Sequence, residues 1–147
     1  MKLPSALFQQ GIQAGKIYYF SSDKINTLVP HYFICIARTE DEVVFLVCGT
    51  SQFEKRKKFI AARNLPDSTL VWIPPDEENG LTKDTYIDCN SNPLEYSVES
   101  LIRQYNEDHL SFKGEVGSLI LAQIKTGLLD SPLIEDSLKE LLRRIMQ

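Results

Sequence analysis

Two apolar runs dominate the hydrophobic pattern of the chain: His31-Tyr-Phe-Ile-Cys-Ile-Ala37 and Val43-Val-Phe-Leu-Val-Cys48. Both are rich in β-branched and aromatic residues and are bounded by turn signals, which predicts an antiparallel hairpin joined across residues 38–42. Shorter runs at 16–20, 69–73 and 85–89, separated by Pro and Gly, add three more strands. A sheet of about five strands risks edge-to-edge pairing, and closure into a small barrel removes that risk. The expected fold is therefore mainly β, a small β-barrel of about five strands, followed by helices in an α+β chain.

The period changes near residues 90–93. Apolar positions recur at helical spacing through Val98, Leu101, Ile102 and Tyr105, and again through Leu119, Ile120 and Ile124. A third helix is predicted from Asp130-Ser131-Pro132, a capping residue followed by proline at the first helical position, and it runs through Ile134, Leu138, Leu141, Leu142 and Ile145. Each fully buried Leu or Ile contributes about 1.5–3 kcal/mol, so these stripes need cover. Packing on the chain's own barrel supplies it, making 1–92 the barrel and 93–147 a helical extension of one structural domain. Trp72, inside Leu-Val-Trp-Ile, is expected in the core.

With 43% hydrophobic and 24% charged residues among 147, the composition is that of an ordinary globular domain. The net charge of −4 argues against a generic coat for polyanions, so any nucleic-acid site must be local. No apolar run approaches the roughly 20 residues that span a bilayer, and residues 1–20 lack a basic segment followed by an apolar core. The expectation is a cytoplasmic protein with no membrane partner. Cys35, Cys48 and Cys89 form no Cys-x-x-Cys pair and each lies in a strand-like run. They read as small buried hydrophobes in a reducing compartment, with no metal site and no cofactor.

Candidate chemistry lies at the open end of the hairpin. There the start of the first strand meets the end of the second, placing His31 beside Thr50 and Ser51. An imidazole and two hydroxyls then share one corner. The dense basic segment Lys55-Arg-Lys-Lys58, extended by Arg63, follows directly. It is either a solvated helix face or a surface that draws a polyanion toward the corner.

In order and spacing, Gly15-Lys-Ile-Tyr18, His31-Tyr-Phe-Ile-Cys-Ile-Ala37, Leu46-Val-Cys-Gly-Thr-Ser-Gln52 and Thr82-Lys-Asp-Thr-Tyr-Ile-Asp88 resemble the PemK/MazF-like toxins of type II toxin-antitoxin systems. The resemblance covers residues 15–90. It implies an SH3-like barrel and a metal-independent endoribonuclease of single-stranded RNA. It also implies a dimer, and a cognate antitoxin that holds the toxin inactive.

Carried over position by position, Thr50 falls on the family's active-site Thr. Ser51 and Gln52 complete the same turn, and Asp84, with Lys83 beside it, falls near an acidic position. The chain departs from the family at Pro30-His31, where an active-site Arg is usual. His31 then serves as general base on a ribose 2′-hydroxyl, or the lost cation leaves a site that binds without cutting. The expected catalytic set is His31, Thr50, Ser51 and Asp84. Gln52, Lys55, Arg56, Lys57, Lys58, Arg63 and Lys83 are expected to contact RNA. The competing expectation is a catalytically silent SH3-like module whose partner is a protein.

Overall fold

All five expected strands form, but they do not close into a barrel. The computed structural model describes residues 2–146, and within them lie seven strands and five helices. In chain order these are α1 (Ser5–Gly11), β1 (Lys16–Phe20), β2 (His31–Arg38), β3 (Val43–Thr50), α2 (Phe53–Ala62), β4 (Leu70–Ile73), β5 (Thr85–Asp88), β6 (Leu94–Ser97), α3 (Val98–Asn106), β7 (Leu110–Glu115), α4 (Ser118–Asp130) and α5 (Asp136–Ile145). A short 3-10 turn, Asp67–Thr69, precedes β4. The sheet is antiparallel and open, in the order β4-β5-β3-β2-β1-β7.

β3 carries two partners on one side. Its first half pairs with β6 from Val43 to Leu46, and its last two residues, Gly49 and Thr50, pair with β5. The fork spreads the sheet. β4 and β7 remain at the two ends of the path, and β7 meets the β4–β5 loop where the Glu115 N–H donates to the Glu78 carbonyl at 2.9 Å. That approach requires a glycine at 114, since a Cβ there would lie 2.2 Å from the Glu78 oxygen.

The physical reason for an open sheet lies in β2 and β3. A barrel with a wetted exterior needs alternation, whereas these strands are apolar without a break and bury side chains on both faces. Phe33, Cys35, Val44 and Leu46 pack with Phe8 of α1 and Leu101 and Tyr105 of α3. Ile34, Ile36, Phe45 and Val47 pack with Ile124 and Leu128 of α4 and Leu142 of α5. The three expected C-terminal helices therefore divide between opposite faces, and β7 separates the first from the other two. On the α1/α3 side, the Phe8 and Tyr105 rings stack 3.8 Å apart.

The last helix begins later than its sequence suggests. α4 continues to Asp130, and the Ser131 N–H closes it onto the Gly127 carbonyl at 3.1 Å. Ser131 Oγ then accepts the Leu133 N–H and donates to Asn90 Oδ1 at 2.7 Å, so it turns the chain instead of capping a helix. α5 starts at Asp136 with an acid in its first turn and Arg143 and Arg144 in its last, complementing the helix dipole. Trp72 is also displaced from its expected place. It is 55% exposed on β4, where its Nε1–H donates to Asp84 Oδ1 at 3.0 Å.

No helix among the described residues is long and apolar enough to cross a membrane. Cys35 and Cys89 are buried and Cys48 is half-buried, all as free thiols. Burial pushes the Cys35 and Cys89 thiols up to about 12 and the Cys48 thiol up to about 11. Such thiols carry almost no thiolate at neutral pH and are poor nucleophiles.

Candidate functional site

The hairpin corner forms as its register demands. Phe33 stands opposite Cys48 in the β2–β3 ladder, and continuing outward by two residues sets His31 against Thr50. Gly49 lets the corner close around them. A Cβ at 49 would come within 2.8 Å of the Thr85 methyl and 3.3 Å of the Tyr32 carbonyl. His31, Thr50, Ser51, Gln52 and Lys83 line one cleft of about 260 Å³, with Tyr19 and Tyr32 on its wall. The two tyrosine rings lie 4.7 Å apart, and Lys113 Nζ sits 5.5 Å from the Tyr19 ring.

The His31 imidazole is oriented by backbone. Its Nδ1 lies 3.0 Å from the Val29 carbonyl oxygen. A carbonyl only accepts, so Nδ1 carries a proton, and the neutral ring keeps its lone pair on Nε2. Among the described residues Nε2 has no hydrogen-bond partner. Thr50 Oγ1 accepts the Gln52 N–H at 3.1 Å, a bond that consumes a lone pair and leaves the hydroxyl proton uncommitted. The corner thus holds an oriented base, a free hydroxyl donor, a second hydroxyl on Ser51 and the Lys83 ammonium.

Other expected residues lie elsewhere. Asp84 is exposed and tied to Trp72, and it does not line the cleft. Lys55, Lys57 and Lys58 are exposed on α2, and Arg63 stacks its guanidinium 4.0 Å over the Phe59 ring. The basic segment is therefore mostly a solvated helix face, with one exception. Arg56 turns toward the sheet, where Nη1 donates to Asp88 Oδ2 at 3.3 Å. It lines a second cleft of about 230 Å³ with Asp88, Asn92, Thr50 and Gln52, over an apolar floor that includes Leu46. Thr50 and Gln52 belong to both clefts and form the wall between them.

Sequence reasoning missed Tyr19, Tyr32, Thr85 and Asp88. For the tyrosines the signal was the β1–β2 pairing, which sets Tyr19 opposite Tyr32. For Asp88 it was the spacing Asp88-Cys-Asn90, since an Asp followed two residues later by Asn is a side-chain turn motif. Among the described residues no group of three or more His, Cys, Asp or Glu is placed to hold a metal ion. No protein-family model and no curated protein matches this chain.

Proposed function

We propose that the chain is a metal-independent endoribonuclease of single-stranded RNA, acting as the toxin of a type II toxin-antitoxin pair. The observation that carries the catalytic part is the His31 ring, held through Nδ1 with Nε2 unspent, in one cleft with Thr50, Ser51 and Lys83. The toxin assignment rests on the resemblance to PemK/MazF-like proteins along residues 15–90, as does the expectation of a cognate antitoxin.

The chemistry follows from these groups. His31 Nε2 takes the proton of a ribose 2′-hydroxyl, and the 2′-oxygen attacks the adjacent phosphorus. Thr50 and Ser51 donate to the non-bridging oxygens, where charge develops, and Lys83 offsets that charge. The bond to the 5′-oxygen breaks, and this oxygen takes a proton from the Lys83 ammonium. The products are a 2′,3′-cyclic phosphate and a 5′-hydroxyl end. Tyr19 and Tyr32 offer a face on which an unpaired base stacks, an interaction worth about 1–3 kcal/mol per base.

Incubation with a long single-stranded RNA in EDTA, followed by end mapping, tests this. Discrete cuts with 5′-hydroxyl ends, lost in His31→Ala, are expected. Intact RNA at high protein concentration overturns the proposal. It would favour a protein-binding module instead, a reading supported by exposed Trp72 beside a groove of about 410 Å³ between β4 and α4.

A further inference from the structure

Arg56 and Arg38 are both half-buried, yet Arg56 has spent far less of its hydrogen-bonding capacity. Its only protein hydrogen bond among the described residues is the one from Nη1 to Asp88. Four of the five guanidinium N–H donors therefore remain available. Its partner carboxylate is hydrogen-bonded on both oxygens. Asp88 Oδ1 accepts from the Asn90 N–H at 3.0 Å and from Asn90 Nδ2 at 2.8 Å. Asn90 Nδ2 also donates to Thr69 Oγ1 at 2.9 Å, and Asn90 Oδ1 accepts from Ser131 Oγ at 2.7 Å. Asn90 and Ser131 are themselves buried, at 8% and 0% exposure. A chain of satisfied polar groups thus runs from the end of α4 to the second cleft and holds Asp88 in place.

The cleft consequently presents a donor fork and an acceptor side by side, above the apolar side chains of Ile25, Leu46 and Leu94. A flat ring with apolar faces and a polar edge fits this lining, and the order of donors and acceptors selects the ring. Guanine offers the acceptors N7 and O6 to an arginine fork, and beside O6 the donor N1–H to the one acceptor site that Asp88 Oδ2 has left. Adenine turns its N6 donor toward the fork, a mismatch of donor against donor. Because Thr50 and Gln52 wall both clefts, a base seated here adjoins a phosphate beside His31.

We propose that this second cleft binds a guanine of the RNA substrate, with Arg56 and Asp88 as its readers. The adjacency to a cut phosphate rests on the ribonuclease reading, but the base site itself does not require cleavage.

Calorimetric titration of the full chain with guanosine, adenosine, cytidine and uridine separates the two. Guanosine is expected to bind at least about tenfold more tightly than the others. Arg56→Ala should remove that preference with its thermal midpoint little changed. Asp88→Asn, which replaces half the acceptor with a donor, should reduce guanosine binding while Arg56 remains. His31→Ala should leave guanosine binding intact. Guanosine binding with intact RNA would uphold this site and overturn the nuclease. Equal binding of all four nucleosides, or binding of none, would overturn this site and leave the nuclease standing, whereas RNA cuts with no guanine beside them would overturn its adjacency to the cut.

Discussion

The two ends of the β2–β3 hairpin carry similar residues in opposite states. At the turn end, Arg38 donates to both carboxylate oxygens of Glu42, at 3.2 and 2.6 Å, and to the carbonyls of Gln9 and Ile12, at 2.8 and 2.9 Å. Glu42 itself sits at φ 64°, a left-handed conformation that non-glycine residues adopt at a cost of about 1–2 kcal/mol. The ion pair holds it there. At the open end, among the described residues, His31 keeps a free Nε2, Thr50 keeps a free hydroxyl proton, and nearby Arg56 has a single hydrogen-bond partner. One end has spent its hydrogen-bonding capacity on the fold, and the other has kept it. Unspent capacity in an oriented group marks a site better than residue type does.

This contrast can be broken from either end. His31→Ala should lower RNA cleavage by about a hundredfold to ten-thousandfold, the usual worth of a general base, with an unchanged urea midpoint. Arg38→Ala should do the reverse. It should cost about 1.5–3 kcal/mol of stability in urea titration and leave cleavage per folded molecule as it was. Thr50→Val lies between, with cleavage reduced about tenfold and stability by about 1 kcal/mol, because one hydroxyl serves both the turn and the cleft. Asp84→Asn sharpens the comparison by doing least. Its carboxylate is exposed outside the cleft, so cleavage should stay within about twofold and stability within about 0.5 kcal/mol.

What the sequence made legible follows from how much apolar side chain each element buries. β1, β2 and β3 bury most of their residues and could be placed within two residues from the pattern alone. β7 buries only Leu110 fully, and β6 only Tyr96, so neither left a periodic signal. They are strands because β1 and β3 offer free edges, a tertiary cause. The barrel expectation failed on a signal that was present: unbroken apolar runs in β2 and β3 mean two covered faces. Trp72 escaped the core because β4 ends the strand path and turns Val71 and Ile73, not Trp72, inward.

At the site, the His31, Thr50 and Ser51 corner was legible as register arithmetic, and Lys83, expected to contact RNA, lines the same cleft. Arg56 was hidden within Lys55-Arg-Lys-Lys58. Consecutive helical residues point about 100° apart, so a basic run distributes its side chains around α2, and only one of the four faces Asp88.

The buried thiols turn the two-faced core into something that can be timed. Cys35 lies in the cluster beneath α1 and α3, while Cys89 lies in the one beneath α4 and α5. With both thiols held near 12, neither reacts while its own side of the sheet stays shut. Each becomes a stopwatch for one side of the molecule. The labelling rate at Cys35 against that at Cys89 reports whether α1 and α3 lift off before α4 and α5 or all four leave together.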